Sequence, residues 1–217
     1  MDILKMFIIG MWIAVLLIGG IFIFVMQENQ NGALDSQKGI GTQKESGTED
    51  ILTLKSPYTL DEKELAIKIH EKVNEQREIA GVGQLEFDYE IEPISIMHSK
   101  DMEDRNFFDH VNPSGEDPND RAEKFDFECR KEFDGKYTEG IAENLFKGYA
   151  FYSSRYIGGV EVSREWLNED EISENTVQGW MNSPAHKENM LRGIFDREAI
   201  GVVVAQNYTI FVTQNLC

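Results

Sequence analysis

Gly179-Trp180-Met181-Asn182-Ser183-Pro184-Ala185-His186-Lys187-Glu188-Asn189-Met190-Leu191 turns one helix into another at a defined corner. A helix near Ile172–Met181 runs up to Ser183-Pro184. There Ser serves as N-cap, and Pro, with its preset φ and missing N–H, suits the first position of a new helix. Gly193 closes that short second helix, so His186 falls in its first turn, where side chains are commonly presented outward. Two β-branched runs follow, Ala199–Ala205 and Tyr208–Thr213, around Gln206-Asn207, and they read as a hairpin.

Upstream of this corner the pattern is helical. Thr59 followed by Glu62 fits a capping box, and Leu65, Ile69 and Val73 then recur every fourth residue, with Ala66 and Ala80 on the same side. Gly81 ends the run in the position that tolerates a left-handed backbone. Beyond GVGQLEFD, the residues Ile91, Ile94, His98, Met102 and Arg105 mark a second helical face that opens near Pro93. A turn-rich loop, Asp109-His110-Val111-Asn112-Pro113-Ser114-Gly115, comes next. Residues 125–162 mix aromatics with glycines and hold a strand or two around Ile141–Leu145. Helices first and a hairpin last predict an α+β sandwich rather than a doubly wound parallel sheet.

The 217 residues carry 39 acidic and 21 basic side chains, a formal charge of -18, with a pI near 4.6. A phosphate backbone is held by clustered Lys and Arg, so nucleic acid is excluded as a partner. Thirteen Phe, seven Tyr and three Trp within a 41% hydrophobic composition are enough for a packed core. From Pro57 onward there are 33 acidic and 17 basic residues, so nearly all the acidity belongs to the C-terminal domain, residues 57–217.

Ahead of it, Met6–Met26 runs for 21 residues without a charge. As a helix it would be about 31 Å long, a match to the hydrocarbon core of a bilayer. The exit Phe24-Val25-Met26-Gln27-Glu28 lacks the small residues of a signal-peptide cleavage site, which favours an uncleaved anchor over secretion after cleavage. Lys5 in the tail, residues 1–5, points by the positive-inside bias to a cytoplasmic N-terminus and a domain outside the cytoplasm, attached to the cell membrane by a single pass. Residues 27–56, rich in Gln, Gly, Ser, Thr and Glu and without aromatics, read as a flexible linker.

Local catalytic motifs are absent: there is no H-E-x-x-H, no G-x-S-x-G and no Walker loop. The four histidines therefore carry most of the weight. His70 and His98 lie on helical faces and fit hydrogen-bonded packing roles, whereas His110 in the loop and His186 at the helix start are candidates for presentation to a ligand. Cys129 and Cys217 are the only cysteines; outside a membrane they would pair, the alternative being a free terminal thiol. Glu128 and Glu132 near Cys129 disfavour a thiolate, so a nucleophilic role is not expected. Asn207-Tyr208-Thr209 is a glycosylation sequon at the expected hairpin tip.

Four boxes together resemble the CAP superfamily, also called SCP-like, which includes cysteine-rich secretory proteins, antigen 5 and plant pathogenesis-related 1 proteins. The first runs from Val73-Asn74-Glu75-Gln76-Arg77 through His98-Ser99-Lys100-Asp101-Met102 to Phe108-Asp109-His110. Ile141-Ala142-Glu143-Asn144-Leu145 resembles the G-E-N-[LI] box, and Gly179–Leu191 is similar to the W-M-N-S-P-G-H-R-x-N-I-L signature of the prokaryotic branch. Ile200-Gly201-Val202-Val203 with the strand Phe211–Gln214 completes the set.

The resemblance implies a three-layer α-β-α sandwich, here preceded by one transmembrane helix, and a cleft in which two His and two acids face one another. Its four positions fall on His110, Glu143, Asn182 and His186, an amide standing where the eukaryotic members carry an acid. His110, Glu143 and His186 would suffice for an open Zn²⁺ or other divalent-cation site completed by water, or would form a hydrogen-bonded cleft without metal. Ala142 in place of the usual Gly makes that backbone less permissive. The reading that follows is a membrane-anchored domain binding an unknown small-molecule, lipid or protein ligand. Alternatives are a metal-dependent hydrolase with Glu143 as ligand or general base, and a surface adhesion or structural protein.

Overall fold

The computed structural model describes residues 56–217 apart from Asp134. Every described element belongs to one compact unit that ends at Cys217. The expected anchor, Met6–Met26, and all of the linker except Ser56 lie outside the described residues. Among those described, no helix is long and apolar enough to cross a membrane.

Helix α1 spans Glu62–Ile79 and buries Leu65, Ala66, Ile69, Val73 and Arg77. Its cap is Asp61, not Thr59: the Asp61 carboxylate accepts from the amides of Lys63 and Glu64, the orphan donors of the first turn. Glu62 is drawn away to accept from the Val204 amide at 2.7 Å. Gly81, just beyond the Ala80 cap, has φ +70 as its position requires. A two-residue strand β1, Glu86–Phe87, leads to α2, Glu92–Asp104, and then to a short helix α3, Pro118–Glu123, that the turn-rich sequence did not announce.

Residues 125–162 resolve into more strand than expected. Strands β2 (Arg130–Phe133) and β3 (Lys136–Glu139) form one antiparallel pair. β4 (Ala142–Tyr149) follows, and β5 (Phe151–Ile157) with β6 (Val160–Trp166) forms a second antiparallel pair. Helices α4 (Glu169–Met181) and α5 (Pro184–Leu191) make the predicted corner. Ser183 holds the N-cap position with extended φ and ψ but without a side-chain bond, and Pro184 starts the helix. The hairpin is formed by β7 (Arg197–Val204) and β8 (Thr209–Leu216).

The central sheet has the order β1-β7-β8-β4; only β1 and β7 are parallel. All eight residues of β8 are buried, because helices cover both faces. On one face Ile200, Val202, Ile210, Val212 and Leu216 pack with Leu65, Ile69, Val73, Ile172, Trp180 and Met190 of α1, α4 and α5. On the other, Ile91 at the N-cap of α2 and Ile94 within it pack against Ala199, and Met102 against Leu145 and Phe211. The fold is thus a mixed α/β sandwich with the sheet in the middle. At Gly201 the α2 backbone at Ser95 and Ile96 comes so close that a methyl group would overlap it. Ser95 and Ser99 donate there to the Ala199 and Gly201 carbonyls.

Cys129 and Cys217 are joined by a disulfide, closing a span of 88 residues. By the loop-entropy model this contributes roughly 4–5 kcal/mol. Asn207 lies exposed at the hairpin turn as expected, with its side-chain oxygen accepting from the Thr209 amide.

Candidate functional site

Sheet, loop and α3 converge on one carboxylate. Glu143 sits on β4 opposite Asn215 of β8, and both are buried on the α2 side of the sheet. Because side chains alternate along a strand, its neighbour Asn144 points to the opposite side and bonds Gln214 and the carbonyl of His186. Glu143 and Asn144 thereby tie the His110 loop and the first turn of α5 to one strand. Ala142, extended at the strand start, causes no strain; the left-handed backbone falls two residues earlier, at Gly140 with φ +95.

Both oxygens of Glu143 are engaged. Oε1 accepts from His110 Nδ1 at 2.9 Å and lies 3.7 Å from His98 Nε2. Oε2 accepts from Arg121 Nη2 at 2.7 Å and from Asn215 Nδ2 at 3.1 Å. Burial would raise the Glu143 carboxyl, but the His110 hydrogen bond and the Arg121 charge outweigh it and hold the group below the usual range, hence ionised.

His110 is carried by the loop between α2 and α3. Asn112 braces that loop by accepting from the amides of Ser114 and Glu116, and Arg121 Nη1 donates to the carbonyls of His110 and Glu116. The Glu143 hydrogen bond, opposed by partial burial, raises His110 above its ordinary value. Its Nδ1 is spent on Glu143, so Nε2 is the nitrogen left for a ligand, the usual arrangement behind a metal-binding imidazole. His186 is half-buried in the first turn of α5, anchored through its carbonyl by Asn144, which Asn189 also contacts. Burial lowers His186, and the nearby His110 charge lowers it further, so the two imidazoles share one electrostatic environment.

His98, read from sequence as a packing residue, is fully buried on α2, yet its Nε2 meets the Asp109 carbonyl at 3.0 Å and flanks Glu143. Burial pushes it below its ordinary value, so it is neutral beside the carboxylate. Arg121 and Asn215 escaped the sequence reading altogether. The signal for Arg121 was Asp117-Pro118, a cap and helix start that place it one turn into α3. Asn182 is exposed at the C-cap of α4, away from the Glu143 hydrogen bonds.

A cation needs open donors, and the three expected ligands are not equivalent. Among the described residues no three His, Cys, Asp or Glu side chains gather so as to hold a metal. Glu143 backs His110 instead of standing beside it, so the side chains left that could present a free nitrogen are His110 and His186.

The model of the cysteine-rich secretory protein family, CAP, matches residues 70–216. YkwD of Bacillus subtilis (strain 168), described as an uncharacterized protein, is 27% identical over 136 residues, which are 63% of this chain and 41% of that relative. The chain therefore spans well under half the length of the relative it matches. An outer surface protein from Borrelia burgdorferi is similar in fold, with 21% identity, a TM-score of 0.50, and coverage of 73% of this chain and 96% of that one. An extracellular SCP-domain protein from Bacillus anthracis str. Ames is 25% identical with a TM-score of 0.49, over 75% of this chain and 44% of that structure.

Proposed function

The chain belongs to the cysteine-rich secretory protein (CAP) family, and from that premise we propose that it is a membrane-tethered, extracytoplasmic domain that binds a ligand at the His110–His186 cleft. The observation that carries this reading is the state of Glu143. Buried, and with both oxygens hydrogen-bonded to His110, Arg121 and Asn215, it orients the site and is not itself presented to the open side. What faces outward are two imidazoles, with Phe108 and Val111, each about half exposed, providing an apolar rim beside His110. Such a rim with convergent polar groups suits a ligand that has an apolar body and a polar or anionic end.

A divalent cation held by His110 Nε2 and His186 would supply a Lewis-acidic centre for that polar end. The protein's own part is positional: Glu143 fixes the His110 tautomer, Arg121 keeps Glu143 ionised and holds the loop, and Asn144 sets α5 against β4. The hydrolase alternative is the weaker reading, because a general base needs a carboxylate with an open lone pair near the reacting atom. The uncharged run Met6–Met26 and the polar stretch after it support tethering.

Zinc titration of the full chain in detergent micelles tests the cleft. Binding should be lost in the His110→Ala/His186→Ala double variant and weakened about 10–100-fold by Glu143→Gln, the range for outer-sphere partners. Equal zinc binding in wild type and double variant would sink the cation reading. Protease treatment of intact cells that leaves the domain uncut would overturn its placement outside the membrane.

A further inference from the structure

A wide groove of the domain lies away from the histidines. It holds about 930 Å³ and runs along β7, with Ala66 of α1 on one side, Ile96 of α2 on the other, and Ile200 and Val202 at its base. The cause is the brevity of β1, which pairs only with Arg197 and Glu198. In the β7–β8 ladder, Arg197 and Cys217 exchange both backbone hydrogen bonds, so the backbone groups of Ile200, Val202 and Val204 point to the outer side. Val204 gives its amide to Glu62; on that outer side, away from β8, no strand among the described residues pairs with Ile200 or Val202. An open edge of this kind is a template for an added strand.

We propose that Ile51–Lys55 docks as a parallel strand on this outer edge of β7, between α1 and α2, and so fixes where the tether leaves the domain. The chain outside the described residues ends at the groove itself. Ser56 lines it and donates its amide to the Tyr208 hydroxyl at 3.2 Å, at the C-terminal end of β7. Residues ahead of Ser56 that follow the edge back toward Ile200 therefore run in the same direction as β7, as β1 does. Five extended residues cover roughly 16 Å, the length of Ile200–Val204.

The sequence suits the position. Ile51-Leu52-Thr53-Leu54 is the longest apolar-rich run between Met26 and Ser56, and in a strand Leu52 and Leu54 share one face. The only charge of the segment, Lys55, is opposite in sign to Asp61, Glu62 and Glu92, which outnumber the one cation, Lys63, around the groove.

Hydrogen exchange by mass spectrometry on the full chain in detergent micelles, following the peptide 199–205, tests the docking. Exchange should be at least 10-fold slower in the native chain than in Leu52→Asp/Leu54→Asp, with β8 unchanged in both as the control for folding. Equal exchange in the two chains overturns the proposal. Protection that disappears on dilution also overturns it, since the edge would then be covered by a second copy.

Discussion

Two buried arginines, in different parts of the molecule, solve the same problem in opposite ways. Arg77, at the end of α1, meets no carboxylate; it donates to the carbonyls of Gly83, Met190, Arg192 and Phe195, and burial pulls its guanidinium below the ordinary value. It is a clasp that satisfies the backbone where α5 ends. Arg121 divides its donors between the His110 and Glu116 carbonyls and the Glu143 carboxylate, and that carboxylate also holds an imidazole facing outward. The first arrangement is closed and structural. The second transmits a charge to a half-exposed side chain, and that separates a site from a staple.

The largest effect is expected at Arg121. Arg121→Met leaves a buried carboxylate without its cation and should cost roughly 3–5 kcal/mol in urea unfolding. Adding Glu143→Gln should recover part of that loss, and strictly additive costs would break the distinction drawn between the two arginines. Arg77→Met orphans carbonyls but no charge, so about 2–3 kcal/mol is expected. Because Arg77 and Glu143 share no partner, Glu143→Gln should add to it independently, within about 0.5 kcal/mol. A smaller loss, about 1–2 kcal/mol, is expected for His110→Ala, whose ring is 46% exposed on its side chain.

The weakest handle is pH. Burial holds His98 below its ordinary value near 6.5, so below that pH the unfolded chain takes up a proton that the folded chain refuses. Stability should therefore fall as pH drops from about 6.5 toward the folded value, with a slope below about 1.4 kcal/mol per pH unit, and His186 adds in the same direction. His110 works the other way: its contribution is full below about 6.5 and is lost as pH rises through its raised folded value. Glu143 contributes stability above about pH 4.3 that is lost as pH falls through its lowered folded value. Unfolding midpoints across this range should flatten between pH 6.5 and 5 in His98→Gln; an unchanged slope would remove His98 from the account.

Legibility in the sequence followed periodicity. α1, α2, the Ser183-Pro184 corner and the final hairpin were readable because apolar residues repeat every three or four positions, or in β-branched runs, and turn residues bound them. The cap of α1 was misplaced by two residues because Thr59 and Asp61 both offer a capping oxygen, and only the path of the chain selects Asp61. The β5–β6 pair was missed because its exposed tyrosines and paired glycines give no core-facing alternation. At the site, His110, Glu143 and His186 stood out as scarce or motif-bound residues. Arg121 and Asn215 did not, since an Arg in an acidic chain and an Asn in a strand have no local pattern that marks burial.

By itself the sequence determined the α+β class, the acidity of the C-terminal domain, the corner that presents His186 and the family to which the chain belongs, all of them properties of neighbouring residues. Tertiary structure alone decided that Glu143 is buried against partners 22, 33 and 72 residues away and so orients His110 instead of standing open. It also decided that β1 ends early, so that among the described residues no strand continues it along the outer edge of β7. A carboxylate's chemistry depends on which donors surround it and a strand's on what lies beside it, and both are fixed by contacts between segments far apart in the chain.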